Sequence, residues 1–195
     1  QVAELRALLA PAQPGQRLVA TPGAGSDIPV WLLGSSLFSA QLAAHLGLPY
    51  AFASHFAPRF LFDALRLYRE LFRPSAVLDK PYVMVGVPVV AAPTDEEAAF
   101  LATSAQQKIL ALMRGQSLKL QPPVNDMDER WDPAEQHSVE AFLGVSVVGG
   151  PERVKAGLSD LVERTQADEL MLVTDIFDPA LRLRSCDIVA SVCKS

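Results

Sequence analysis

The sequence has little cysteine and no long apolar run, and both shortages narrow the kind of protein it encodes. The two cysteines, Cys186 and Cys193, fall in a predicted C-terminal helix, where a spacing of seven residues separates the Cα atoms by about 10 Å, beyond disulfide reach. Free thiols are typical of a reducing compartment, so we expect a cytoplasmic protein. With no further ligand near them we expect no metal site. No apolar run approaches the ~20 residues that span a membrane, so we expect no membrane association.

Basic stripes and nucleotide-binding fingerprints are also absent. The net charge of −5 and the lack of a basic or aromatic-basic stripe argue against nucleic acid as a partner. Neither G-x-G-x-x-G nor G-x-x-x-x-G-K-[ST] occurs, which counts against a nucleotide-binding module. The chain of 195 residues, 50% hydrophobic and 20% charged, has the composition of an ordinary globular protein. We therefore predict one domain over residues 1–195, and because the first residue is Gln, we expect that the natural N-terminus lies elsewhere.

The stretch from residue 30 to 58 organises the chain. It opens with an apolar strand at 30–33, continues into a helix at 40–46 that Gly47 stops, and ends in a second strand at 50–53. A strand, a helix and a strand in this order form a βαβ unit, whose strands lie parallel in one sheet.

The turn inside this unit has the composition of an anion site. Gly34 allows close approach of a ligand to the backbone, and Ser35, Ser36 and Ser39 supply hydroxyls at the first turn of the helix. Unpaired N–H groups and the positive end of a helix dipole favour a phosphate there. Simple N-capping by Ser36 explains the same residues equally well, and the pattern alone leaves both interpretations open.

Over the whole chain, the βαβ unit included, the sequence predicts four principal strands, each followed by a helix. Such alternation fits either a doubly wound sheet or a barrel. Residues 1–29 are interpreted as an entry helix and linker with a possible short strand at 17–20, and 116–132 as a long irregular loop. Pro88 interrupts the third strand, so we expect a bulge or an exposed strand end there. The other predicted elements are helices at 59–72, 94–114, 133–143, 151–165 and 178–193, and apolar runs at 82–92, 145–148 and 169–173.

The run PVWLLGSSLFSAQLAAHLGLPYAFASHFAP resembles the bacterial-luciferase-like family of flavin-dependent monooxygenases. The similarity continues through PYVMVGVPVVAAPTDEEA, SVVGGPERV and DELMLV. It implies a (β/α)8 TIM barrel of which this chain holds the C-terminal half, four βα units. It also implies that the turn binds the phosphate of FMN through Ser36 and Ser39, with Gly34, Ser35 and Ser54 also at the cofactor. Ser35 stands where luciferase chains carry Glu, so the phosphate contacts differ there.

The resemblance implies an enzyme that uses reduced FMN and O2 to oxidise a small organic substrate. A separate flavin reductase or NAD(P)H would supply the reduced flavin, and a homodimer is expected. His55, just past a strand end, is the candidate catalytic residue, as a hydrogen-bond donor to the flavin or a general base; loop backbone groups could equally satisfy it. The alternative is a non-catalytic flavin-binding or structural protein built on a truncated barrel.

Two further expectations concern mobility and assembly. The length of the 116–132 loop suggests a mobile segment that closes over the flavin. Half a barrel would leave two open sheet edges, so we expect another segment or a second chain to cover them. The side chains expected to face the barrel interior, and so to meet water, are Leu32, Phe52, Val85 and Leu172 or their neighbours.

Overall fold

The structure, a computed structural model, describes residues 1–193 and consists of helices alternating with parallel strands. A single 3-10 turn, Pro58–Phe60, precedes the third α-helix. The strands are β1 (Leu32–Gly34), β2 (Tyr50–Ala53), β3 (Val83–Ala91), β4 (Val147–Gly149) and β5 (Glu169–Val173). The helices are α1 (Val2–Leu9), α2 (Leu37–Leu46), α3 (Leu61–Leu71), α4 (Asp95–Met113), α5 (Pro133–Phe142), α6 (Pro151–Thr165) and α7 (Pro179–Val192).

All strand pairings in the sheet are parallel, as the βαβ pattern predicts. β1 pairs with β2, β2 with β3, and β3 with both β4 and β5. Gly34 lies opposite Phe52, so the carboxyl ends of β1 and β2 meet at one edge of the sheet. The predicted α/β architecture with a parallel sheet is confirmed. The residues that follow β1, β2, β3 and β5 consequently lie on the same side of the molecule.

Two details of the predicted strands were wrong. The sheet has five strands rather than four, because the run near 145–148 pairs as β4 with the last three residues of β3. Residues 17–20 form no strand. Both errors concern short segments, for which pairing partners distant in sequence decide the outcome and local composition does not.

Pro88 lies inside β3 and not at a bulge or a strand end. The ladder between β3 and β5 finishes at Pro88, and the ladder between β3 and β4 begins at Val89. The ladder with β2 has already finished at Gly86. The proline, which has no N–H to donate, therefore occupies the junction between ladders, where the missing donor interrupts neither of them internally.

The two faces of the sheet have different environments. One face packs against α2, α3 and α6 and holds the largest buried cluster. Leu32, Phe52, Val85 and Leu172 belong to this helix-covered face, so of the predicted set, which named these residues or their neighbours, only the neighbours can face a barrel interior. Their neighbours Leu33 and Met171 point to the opposite face and are 70% and 54% exposed.

Helix α3 anchors the helix layer through Tyr68. Its fully buried hydroxyl donates to Leu48 O at 2.9 Å and accepts from Tyr82 N at 3.2 Å. This bond pair joins α3 to the starts of β2 and β3. Phe62 and Leu71 of the same helix are 40% and 36% exposed.

The long segment at 116–132 has no helix or strand, as predicted. Its second part is packed, because Met127 is buried in a cluster with α4 and α5 and Val124 N donates to Thr103 Oγ1 at 2.9 Å. Because of these contacts, the prediction of mobility does not hold for the second part of the segment. Mobility stays a prediction for residues 116–121, of which Leu118 is 49% exposed.

Within residues 1–193 no helix is long and apolar enough to cross a membrane. Cys186 and Cys193 are exposed free thiols on and just after α7, as the spacing predicts. In the same part of the chain no group of three or more His, Cys, Asp or Glu side chains is arranged to hold a metal ion.

Candidate active site

The serine turn between β1 and α2 closes on itself. Ser36 is the N-cap of α2, and its Oγ accepts from Ser39 N at 3.4 Å. The Ser39 hydroxyl donates to Ser36 O at 2.8 Å and lies 3.2 Å from the Tyr50 hydroxyl. A Cβ on Gly34 would lie 2.2 Å from Ser39 Oγ, so only glycine leaves room for the Ser39 side chain. The capping interpretation of Ser36 is therefore confirmed.

The same turn keeps hydrogen-bond donors free for a ligand. The N–H groups of Leu37 and Phe38 belong to the first turn of α2, where no preceding carbonyl of the helix is available to them. Ser36 uses an oxygen lone pair for its cap, which leaves its hydroxyl hydrogen unassigned. Ser36 is exposed and Ser35 is half-buried beside it. The turn can thus accept a cap bond and donate several bonds outward at once.

His55 lies two residues after β2, at the strand end next to this turn. Its ring packs on Gly86 of β3, where a Cβ would approach Nδ1 to 3.0 Å. It also contacts the Phe56 ring, with centroids 4.3 Å apart. Nδ1 is buried and has no hydrogen-bond partner. The suggestion that loop backbone groups satisfy this histidine is not supported at Nδ1.

The environment of His55 favours its neutral form. Burial lowers its pKa; Asp175 opposes this effect and Lys108 adds to it. A buried N–H without an acceptor costs more than an unused lone pair, so we assign the lone pair to Nδ1 and the hydrogen to Nε2. His55 then offers one neutral N–H donor at the sheet edge.

A cavity of about 630 Å³ lies beside His55. Its walls come mainly from apolar residues of β3, α4 and α5, among them Pro88, Ile109 and Phe142. Lys108 Nζ and Asp175 Oδ2 form an ion pair at 2.8 Å within this wall. An apolar cavity with a few convergent polar groups is the usual form of a small-molecule site.

Ser54 has a different position from the other predicted cofactor residues. It is fully buried, and its hydroxyl donates to Gly86 O. That bond ties β2 to β3 beneath His55. A direct contact between Ser54 and a cofactor stays a prediction.

The structure brings the predicted residues to two adjacent places. Four of them lie together in the turn at the end of β1: Gly34, Ser35, Ser36 and Ser39. None of these four is part of the cavity wall. His55 does line the cavity, at the end of β2. Parallel strands are about 4.8 Å apart, so the two places are neighbours.

Three residues of this region escaped the sequence analysis. Asp175, which has no partner near it in sequence, pairs with Lys108 on α4. No local pattern indicates this pair, because 67 positions separate its members. Gly86 could have been found, since an isolated glycine inside an apolar strand often marks the close approach of another group.

Comparison with known proteins identifies the family of this chain. The model of the luciferase-like monooxygenases matches residues 6–169. The chain belongs to this family. A luciferase-like monooxygenase of Escherichia coli strain K12 is 49% identical over 191 residues, which is 98% of this chain and 57% of that protein. The fold is accordingly of the luciferase-like TIM-barrel type.

Solved structures agree with this membership. The crystal structure of apo-MsnO8 is 30% identical and superposes with a TM-score of 0.79, covering 99% of this chain and 58% of that one. The oxygenating constituent of 3,6-diketocamphane monooxygenase from Pseudomonas putida, solved with FMN, has a TM-score of 0.58 at 18% identity, covering 90% and 51%. The second likeness supports the fold alone. The chain spans a little over half the length of these relatives.

Proposed function

We propose that this protein is an FMN-dependent monooxygenase that uses reduced flavin and O2 to oxidise a small organic substrate. The observation that carries the proposal is the electrostatic character of the α2 start. α2 has no acidic residue at its N-cap or in its first turn. Every other α-helix of residues 1–193 has one, either in the first turn or, for α7, at the Asp178 N-cap. The positive end of α2 is thus left for an external anion.

The residues of the turn suit the phosphate of FMN. The N–H groups of Leu37 and Phe38 and the Ser36 hydroxyl would donate to its oxygens, and Gly34 lets Ser39 fold inward to shape the turn. Charge-assisted bonds of this kind are stronger than neutral ones. Ser35, in place of an acidic residue, adds no repulsion.

The residues at the end of β2 suit the ring system of a flavin. His55 would donate from Nε2 to an acceptor on the ring edge, while its unpartnered Nδ1 stays against Gly86. The flavin, when bound, supplies the oxygen chemistry. The apolar wall formed by α4 and α5 excludes water from the reacting atoms, which suppresses hydrolytic and other side reactions.

The wider arrangement belongs to the same proposal. A separate flavin reductase or NAD(P)H would provide the reduced cofactor, and the active protein would be a homodimer in the cytoplasm. The exposed thiols Cys186 and Cys193 agree with a reducing compartment. Chain segments beyond those described here would complete the barrel, since the relatives are longer.

The decisive experiment separates capping from phosphate binding at Ser36. FMN and riboflavin, which lacks the phosphate, are titrated into the wild type, the double variant Ser36→Ala/Ser39→Ala, and Ser36→Asp. Aspartate caps a helix as well as serine does, so Ser36→Asp should keep the melting temperature but repel the phosphate. We expect FMN affinity to fall by about 2–4 kcal/mol in the Ser36→Ala/Ser39→Ala variant, and in Ser36→Asp the preference for FMN over riboflavin should disappear.

Retention of full FMN preference in Ser36→Asp would show that the turn only caps α2. Thr94→Ala is the matched control, because Thr94 caps α4 through the same type of bond, 3.2 Å to Glu97 N. It should lower stability without changing the FMN-to-riboflavin ratio. Flavin binding without any turnover of reduced flavin would favour the alternative of a non-catalytic flavin protein.

A further inference from the structure

The charged side chains in the cavity wall are few and mostly negative. Lys108, Asp175 and Glu140 are the charged residues that line it, and His55 joins them as a neutral group. The sum of these charges is −1 at neutral pH. The remaining wall is largely apolar, so the charges act on a ligand with less screening than they would in water.

The positive charge of Lys108 is offset by a carboxylate in the same wall. Lys108 Nζ lies 2.8 Å from Asp175 Oδ2, and the Lys108 side chain is 33% exposed. An anionic ligand that approaches Lys108 would also lie close to the Asp175 carboxylate, which repels it. The ion pair of Lys108 and Asp175 therefore contributes no net charge to the cavity.

The third charged residue of the cavity wall, Glu140, has no cationic partner among the described residues. Glu140 is exposed on α5 at the cavity wall, and one of its oxygens accepts from Gln136 Nε2 at 3.0 Å. No Lys, Arg or His side chain is recorded within salt-bridge distance of Glu140 in the described residues. A carboxylate in this position attracts cations and repels anions.

We infer that the cavity selects an apolar substrate whose polar end is neutral or cationic, and that Asp175 and Glu140 are the residues that reject carboxylates, sulfonates and phosphate esters. This inference rests on the proposed function, since it names the substrate class of the same cavity. His55 supports it, because burial keeps the imidazole uncharged and so adds no cation.

The test measures binding without any flavin chemistry. Octan-1-ol, octylamine and octanoate share one apolar chain and differ in head-group charge at pH 8. Each is titrated against the full protein loaded with Nile red, a neutral dye that fluoresces in apolar cavities. We expect octanol and octylamine to displace the dye and octanoate to bind at least about tenfold more weakly.

Charge-removing variants identify the residues responsible. Asp175→Asn frees Lys108 and should strengthen octanoate binding about tenfold while weakening octylamine, and Glu140→Gln should shift both in the same directions by less. Glu163→Gln is the matched control, because it removes one exposed carboxylate from α6 outside the cavity wall. It should leave all three affinities unchanged.

The outcomes are distinguishable. Octanoate binding as tightly as octanol in the wild type would overturn the inference, as would an octanoate deficit that persists in the Asp175→Asn/Glu140→Gln double variant. Failure of all three compounds to displace the dye would also overturn the inference, because it would remove the cavity as a binding site for such compounds; the proposed function would still be decided by the titration of FMN and riboflavin. A shift in octanoate and octylamine affinity in Glu163→Gln as large as in Asp175→Asn/Glu140→Gln would assign the effect to net charge and reject the two named residues.

Discussion

Gly34→Ala should damage the serine turn more than a single methyl group normally would. The new Cβ would lie 2.2 Å from Ser39 Oγ and 2.4 Å from Ser39 Cβ, distances that no unstrained structure tolerates. Ser39 is the third residue of α2, so it cannot move away without shifting the start of the helix. The hydroxyl would lose its bond to Ser36 O and its contact with Tyr50.

The expected loss of stability is the sum of two effects, the steric clash of the new methyl group and the lost hydrogen bond of Ser39. Overpacking by one methyl group costs about 1–3 kcal/mol, and the lost hydrogen bond adds about 1 kcal/mol. We expect Gly34→Ala to lower the free energy of unfolding by about 2–4 kcal/mol, measured by urea titration followed by circular dichroism. FMN affinity should fall in parallel, because the N–H groups of α2 would be displaced.

A compensating substitution tests the cause directly. Ser39→Gly removes both clashing atoms and should by itself cost about 2 kcal/mol, from helix propensity and the lost hydrogen bond. The double variant Gly34→Ala/Ser39→Gly should be no less stable than Ser39→Gly alone, which gives a coupling energy of about 2 kcal/mol or more.

The control and the refuting result are equally specific. Gly23→Ala introduces a Cβ whose nearest neighbours are 3.4 Å away, and it should change the free energy of unfolding by no more than about 0.5 kcal/mol. If Gly34→Ala behaves like Gly23→Ala, and if it shows no coupling with Ser39→Gly, the close packing of this turn is not what requires glycine.

Two further predictions concern Tyr68 and His55. Tyr68→Phe should lower the free energy of unfolding by about 1–3 kcal/mol, because it leaves the buried Leu48 O and Tyr82 N without their partner; Tyr82→Phe, which removes an exposed bond to Glu169, should cost less than about 1 kcal/mol. In an NMR titration the pKa of His55 should lie below the ordinary histidine value. Its signal is identified because it disappears from the spectrum of His55→Gln. Asp175→Asn should lower the pKa of His55 further, because the Asp175 carboxylate raises it. Since the folded pKa lies below the unfolded one, the contribution of His55 to stability is fully present above the ordinary histidine pKa and is lost as the pH falls from there through the lower folded pKa. A His55 pKa above the ordinary value would contradict the burial argument.

The local parts of the site could be predicted from the sequence, because local chemistry determines them. Gly34, Ser36 and Gly47 specify a turn, a cap and a helix end with residues that are close neighbours in sequence. Gly47 adopts a φ of 58°, the left-handed conformation expected of a C-terminal glycine. The prediction of the helix between them needed no information on the rest of the fold.

The parts that failed depend on contacts across the chain. Leu32 and Leu33 are both apolar, so composition cannot tell which one faces the helix layer; the pairing of β1 with β2 decides it. The same holds for Asp175, whose partner Lys108 lies on a helix that follows a different strand. A one-residue change of register reverses the face of every side chain in a strand, and no local signal fixes the register of short apolar strands.

The capping and phosphate-binding interpretations of Ser36 need not compete, because a hydroxyl can serve both. At α5 and α7 the chain uses aspartate as the cap, and one oxygen of each carboxylate, Oδ1, accepts from two backbone N–H groups. A carboxylate has no hydrogen to donate, and its charge neutralises the helix end. Ser36 accepts one bond from Ser39 N and keeps both its hydrogen and the positive helix end free. A serine therefore caps α2 without neutralising its positive end, whereas an aspartate at residue 36 would keep the cap and neutralise that end.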